Sequence, residues 1–101
     1  MIAMAMSVYF YTMDAQMKIL IDRTVLRYTE MKGKDFYFIV TAADTDQSML
    51  ERTIEGFRAF TEDCLTDPHE RAIIYATGVW QSGDIKGHPT MKQAYDMGKL
   101  A

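Results

Sequence analysis

Short runs of apolar residues alternate along this chain with longer stretches in which apolar residues recur every three or four positions. The first run covers residues 2–6 and continues into Val8, Tyr9 and Phe10, which is typical of a buried strand. Residues 13–27 then place five apolar side chains on one helical face: Met13, Met17, Leu20, Ile21 and Val25. The Thr12 hydroxyl is positioned to cap this helix. The pattern predicts a strand that leads directly into a helix.

The second apolar run, residues 36–43, has an apolar residue at nearly every position instead of alternating. Such a run predicts a central strand that is covered on both faces, as in parallel sheets. Asp44-Thr45-Asp46 follows with turn and helix-capping chemistry. A second amphipathic helix is predicted over residues 49–65, and Asp67-Pro68 ends it.

A third run, residues 72–77, predicts another strand, which Gly78 closes. Residues 79–88 are predicted as a loop, and Pro89 stands where the first residue of a last helix tolerates proline. The predicted order is β-α-β-α-β-α. This order indicates an α/β fold in which a three-stranded parallel sheet carries helices on its faces, with right-handed crossovers.

Length and composition narrow the class of protein. With 101 residues the chain is predicted to form one domain over residues 1–101, and 49% hydrophobic with 25% charged residues is the balance of a folded protein. The net charge is -3 and the basic residues are scattered, which argues against a nucleic-acid partner. No apolar run approaches the roughly 20 residues that span a bilayer. The start lacks an export signal, so a cytoplasmic location without membrane contact is expected.

Three residues, one cysteine and two histidines, have side chains that could bind a metal or take part in catalysis, but the sequence pattern does not favour these roles. Cys64 is the only cysteine, which excludes an internal disulfide or a cysteine-based metal site within one chain. Its place on an amphipathic helix predicts a small core residue. His69 and His88 lie at loop and helix boundaries without a partnered carboxylate or nucleophile in the sequence, so a catalytic role is not predicted for them.

The most specific signal is Val8-Tyr9-Phe10-Tyr11-Thr12-Met13-Asp14-Ala15-Gln16-Met17-Lys18, followed by Ile21-Asp22-Arg23-Thr24. It resembles the flavodoxin-like NAD(P)H-dependent FMN reductase family, including its iron–sulfur flavoprotein relatives. The resemblance continues through residues 38–44, 78–80 and 91–95 and covers essentially the whole chain. It implies the carboxy-terminal half of a flavodoxin-like three-layer sandwich. Where the family has Ser-Pro or Thr-Pro before Val-Tyr, this chain has Met6-Ser7.

The resemblance also implies a binding site for the flavin ring. Two segments are expected to contact it, namely Ser7, Val8, Tyr9, Phe10 and Tyr11, and after the second strand Ala43, Asp44 and Thr45. The plainer alternatives are aromatic residues that fill the end of a strand, and a helix-capping turn at Asp44. Trp80 either shields the ring or packs at the end of the sheet. In the family NAD(P)H is the electron donor.

Family members begin with a strand and a Ser/Thr-rich loop that wraps the FMN phosphate, and this sequence has no counterpart of that half. The expectation is therefore a truncated flavin oxidoreductase that binds FMN weakly or not at all and is inactive as an isolated chain. The alternative is a non-enzymatic, oligomerising α/β domain. Because residues 2–6 are then an unpaired apolar edge of the sheet, a homo-oligomer is predicted, with a two-fold dimer as the expected form.

Overall fold

The computed structural model describes residues 1–101, with four strands and three α-helices. In chain order these are β1 (Ile2–Tyr9), β2 (Thr12–Met13), α1 (Ala15–Arg23), β3 (Asp35–Thr41), α2 (Glu51–Cys64), β4 (His69–Ala76) and α3 (Pro89–Leu100). Short 3-10 turns cover Tyr28–Glu30 and Gln47–Leu50. The α/β class and the predicted alternation of strands and helices are therefore confirmed.

The strands form one mixed sheet in the order β2-β1-β3-β4. β3 lies between β1 and β4 and is parallel to both, with Phe38 opposite Met4 on one side and Ile73 on the other. β2 is antiparallel to the end of β1, where Tyr9 pairs with Thr12. The expected three-stranded, all-parallel sheet was thus wrong in one respect, because the chain reverses in a tight hairpin before α1 begins.

The helix boundaries follow from capping groups. The Asp14 carboxylate accepts a hydrogen bond from the Met17 N–H at 2.7 Å and caps α1, so the prediction that Thr12 caps this helix was wrong. α1 ends four residues earlier than predicted, where the Thr24 hydroxyl donates to the Ile21 carbonyl at 2.8 Å. α3 begins at Pro89 as predicted.

The core lies between one face of the sheet and the helix α2. Phe36, Phe38 and Val40 alternate along β3 with at most 1% exposure, and the Phe38 ring stacks on Phe57 of α2 with ring centroids 4.8 Å apart. Methionines of β1 and α1 join the same cluster. Burial of these side chains supplies most of the favourable free energy of folding.

The second face of the sheet is covered only in part. α3 packs against β4, where Ile74 and Ala76 are buried, whereas Ala3 and Ala5 of β1 stay exposed on that face. Ile39 of β3 is only half-buried. The prediction that both faces of the central strand are covered was therefore wrong, because α3 covers this second face only where β4 lies.

Two further expectations bear on the surface. Cys64 ends α2 and is exposed, so its predicted place in the core was wrong. None of the three helices combines the length and apolar character that crossing a membrane requires.

Candidate functional site

A groove opens at the carboxyl ends of β1 and β3, with a volume of about 650 Å³. Its walls come from three stretches of chain, namely Val8, Tyr9, Phe10 and Tyr11, then Ala42, Ala43 and Asp44, and the segment at Trp80, and Leu50 also lines it. The carboxyl ends of parallel strands are where open α/β sheets bind their ligands. The volume lies in the range of small-molecule sites.

The first wall is the hairpin turn between β1 and β2. Its central residues Phe10 and Tyr11 have φ of +50° and +63°, a left-handed conformation that asparagine and glycine adopt more readily than aromatic residues. The turn leaves the Phe10 side chain 98% exposed and Tyr9 61% exposed. A strained turn thus holds two large aromatic surfaces in solvent at the mouth of the groove.

Asp44 links this turn to the end of β3. The Tyr11 hydroxyl donates to Asp44 Oδ2 at 3.2 Å, and the Asp46 backbone N–H donates to Asp44 Oδ1 at 2.8 Å. One carboxylate therefore fixes the position of the hairpin relative to the loop after β3. This loop continues into a second turn, where hydrogen bonds from the Ser48 hydroxyl and N–H hold the pKa of Asp46 below its usual range.

The third wall is built by backbone hydrogen bonds beyond the end of β4. The Gly78 N–H donates to the Asp44 carbonyl and the Val79 N–H to the Ala42 carbonyl, both at 2.9 Å. Gly78 has φ +69°, which turns the chain toward Trp80. These bonds extend the contact between the β3 and β4 segments past the last paired residues.

Asp84 then fixes the backbone at Trp80. Its carboxylate accepts from the N–H groups of Gln81 at 2.8 Å and Trp80 at 3.0 Å, and these bonds lower the pKa of Asp84. The Trp80 side chain is 78% exposed. Of the two roles considered for Trp80, packing at the sheet end does not match this exposure, and the indole instead lines the groove.

Charge distinguishes this groove from a phosphate site. Asp44 is the only charged residue among those that line it, and no lysine or arginine does so. Phosphate recognition normally uses backbone N–H groups, helix N-termini or basic side chains. The arrangement suits a flat, uncharged, aromatic ligand.

Six of the eight residues expected from the sequence lie together in this groove: Val8, Tyr9, Phe10, Tyr11, Ala43 and Asp44. Ser7 and Thr45 lie outside its lining. The Ser7 hydroxyl instead accepts a hydrogen bond from Thr41 Oγ1 at 3.2 Å, which joins β1 to β3. Thr45 is exposed beside Gly78. Leu50, fully buried, was not expected in the site, although its apolar place after the Asp46 turn was a usable signal.

Neither of the two histidines lines the groove. His69 contacts two carboxylates, with Nδ1 3.0 Å from Asp35 Oδ1 and Nε2 3.2 Å from Asp67 Oδ1, so the expectation that it lacks a partnered carboxylate was wrong. It begins β4, so it lies at the amino end of the strand, whereas the groove lies at the carboxyl ends of β1 and β3. His88 Nε2 lies 3.0 Å from the Thr77 carbonyl, and its ring caps α3. Both contact sets are structural.

No cluster of three or more histidine, cysteine or acidic side chains has the arrangement of a metal site. Comparison of the chain with protein-family models, curated proteins and solved structures gives no match. The functional argument therefore depends on the groove itself.

Proposed function

We propose that this chain binds the isoalloxazine ring of a flavin in the aromatic groove and acts as an NAD(P)H-dependent flavin oxidoreductase of the flavodoxin-like class. One observation carries the proposal. Thirty residues separate residues 8–11 from residues 42–44 in sequence, and the fold brings the two segments to one groove at the carboxyl ends of neighbouring parallel strands. Both segments belong to the stretches that resemble the reductase family.

The exposed rings favour a planar ligand. Tyr9, Phe10 and Trp80 each expose more than half of their surface around a groove whose floor includes the buried Leu50. A stacked aromatic pair contributes about 0.5–1.5 kcal/mol beyond the burial of area. Covering these rings with a flat tricyclic ligand would remove apolar surface from water on both partners.

The charge of the groove limits what part of the cofactor it can hold. With Asp44 in the lining and no basic residue there, the phosphate of FMN gains no charge-assisted hydrogen bond. We therefore expect FMN and riboflavin to bind with similar dissociation constants in the high micromolar range, and the purified chain to be colourless. When bound, the flavin supplies the hydride chemistry, and the protein orients the ring and excludes water.

The test is a titration of riboflavin and of FMN, followed by flavin fluorescence. Phe10→Ala should weaken both by up to roughly tenfold, the effect of one stacked pair. Tyr95→Ala is the matched control, because Tyr95 is 65% exposed on α3 and does not line the groove. Submicromolar FMN affinity with much weaker riboflavin binding would contradict ring recognition.

Failure of both flavins to bind would overturn the proposal and favour the second candidate, an oligomerising α/β domain without flavin. The observation that supports this candidate is the open edge of β1. β2 pairs only with Val8 and Tyr9, so residues 2–7 have no strand on that side.

A further inference from the structure

Two adjoining grooves lie between α1 and α2, and neither shares a residue with the aromatic groove. The first has a volume of about 550 Å³ and the second of about 480 Å³, and Ile21, Phe60 and Cys64 line both of them. Together they form an interhelical groove that follows one face of α2 from Arg52 in its first turn to Cys64 at its end. At 1.5 Å per helical residue this is a length of about 18 Å.

One end of the interhelical groove is cationic, at the amino ends of the two helices. Lys18 of α1 and Arg52 of α2 line this end together with Thr12 and Thr53, and no acidic side chain does so. Arg52 is exposed and forms no ion pair within the chain. The amino end of a helix also attracts negative charge through the helix dipole. This end of the groove therefore suits an anionic group.

The hydroxyl of Thr53 lacks a hydrogen-bond partner, and it is the only buried side-chain polar atom of the chain that does. Thr53 lines the groove and is 1% exposed, so it belongs to the groove floor. Farther along α2 the buried Thr61 hydroxyl donates to the Phe57 carbonyl at 3.2 Å, a common bond for threonine within a helix. Buried polar groups are nearly always paired, so the unpaired hydroxyl points to a donor that a ligand satisfies.

Toward the carboxyl ends of the helices the groove becomes apolar. Four large side chains line it there: Ile21, Val25, Tyr28 and Phe60. Asp22 is the only acidic residue in the lining, and its carboxylate pairs with Lys18. Both partners of this pair are exposed, so the pair contributes little and leaves N–H groups of the ammonium free for a second acceptor. A groove with one cationic and one apolar end is complementary to a molecule with an anionic head and an apolar tail.

We propose that the interhelical groove binds the anion of a medium-chain fatty acid. The carboxylate lies between Arg52, Lys18 and the Thr53 hydroxyl, and the alkyl tail follows the apolar end of the groove toward Cys64. Charge complementarity selects the head group, and the elongated shape favours a flexible linear tail over a compact ring. The proposal does not rest on flavin binding, because the two sites have no residue in common.

Met13 controls access to the groove floor. Its side chain lies against α2, where a β-carbon added at Gly56 would be 3.2 Å from Met13 Cε. Gly56 is three residues from Thr53 and therefore on the same face of the helix. An unbranched methionine side chain adapts its conformation readily, and its movement opens the floor to the carboxylate.

Calorimetric titration with octanoate at neutral pH tests the head-group site. Arg52→Gln removes the charge and should raise the octanoate dissociation constant about threefold to fivefold. Arg23→Gln is the matched control, because Arg23 is exposed at the end of α1, has no ion pair and does not line the groove. Octanol, which has the same tail without the charge, should bind wild type and Arg52→Gln alike. Absence of saturable octanoate binding, or equal octanoate affinity of wild type and Arg52→Gln, would overturn the proposal.

Two further measurements locate the head and the tail. Thr53→Val removes the unpaired hydroxyl and should weaken octanoate binding about twofold or more, whereas Thr61→Val removes a hydroxyl that is already bonded within α2 and should not. Cys64 is the only cysteine and lines the groove at the tail end, so saturating octanoate should slow its alkylation by iodoacetamide, and acetate should not. Unchanged alkylation at saturating octanoate, or unchanged affinity of Thr53→Val, would refute this placement of the ligand.

Discussion

Replacing Phe10 by glycine should stabilise the fold while it weakens flavin binding. Phe10 has φ +50° and is 98% exposed, so its β-carbon strains the turn while its ring contributes no packing to the fold. A left-handed conformation costs an L-residue about 1–2 kcal/mol, and the greater freedom of glycine in the unfolded chain returns about 0.5–1 kcal/mol of that. The net gain is about 1 kcal/mol, which corresponds to an increase of about 4–8 °C in Tm for a domain of this size.

Phe10→Ala separates the two effects. Alanine also lacks the ring but keeps the β-carbon that makes a positive φ unfavourable, so its Tm should stay near that of wild type. Both variants should lose riboflavin affinity to the same extent. Thermal unfolding followed by circular dichroism at one fixed protein concentration makes the comparison. Equal Tm values for the glycine and alanine variants would refute a strained turn at this position.

Three further predictions concern the core and an ion pair. Phe38→Ala removes a fully buried ring stacked on Phe57 and should cost about 3–5 kcal/mol in urea unfolding, and an unchanged midpoint would contradict the central place of β3. Thr53→Val should stabilise the chain by about 1 kcal/mol, because the Thr53 hydroxyl is buried without a partner, and a loss of stability would indicate a bond that the fold does not show. The Arg71 guanidinium lowers the pKa of Asp35, so this ion pair stabilises the fold above about pH 4 and is lost as the pH falls through the folded pKa. Asp35→Asn should therefore be less stable at neutral pH and lose less stability on acidification, in urea titrations at several pH values.

A strand could be predicted from the sequence where its residues are buried and therefore apolar. The run that contains Phe36, Phe38 and Val40 identified the central strand, because a short, continuous apolar run rich in aromatic and β-branched residues is typical of a buried strand. The start of β4 was missed by three residues, since His69 and Arg71 are polar and belong to the strand through pairing with β3. Pairing of this kind depends on a neighbour distant in sequence and leaves no local pattern.

The candidate site, too, has some features that could be predicted from the sequence and others that could not. The resemblance to the flavin reductases predicted that the residues after β1 and β3 lie together, and parallel strands do bring their carboxyl ends to the same end of a sheet. The hairpin could not be predicted, since Phe10 and Tyr11 lack the Asn-Gly signature of a two-residue turn. The position of Trp80 was also hidden, because it depends on backbone hydrogen bonds to Asp84 within a loop.

The location of the ring is the central claim, and a riboflavin titration of the ¹⁵N-labelled chain followed by amide chemical shifts tests it most directly. The account predicts concentration-dependent shifts confined to residues 8–11, 42–44 and 80, with similar shifts when FMN replaces riboflavin. Shifts centred on the groove between α1 and α2, around Val25 and Phe60, would contradict it, as would the absence of any shift at millimolar riboflavin.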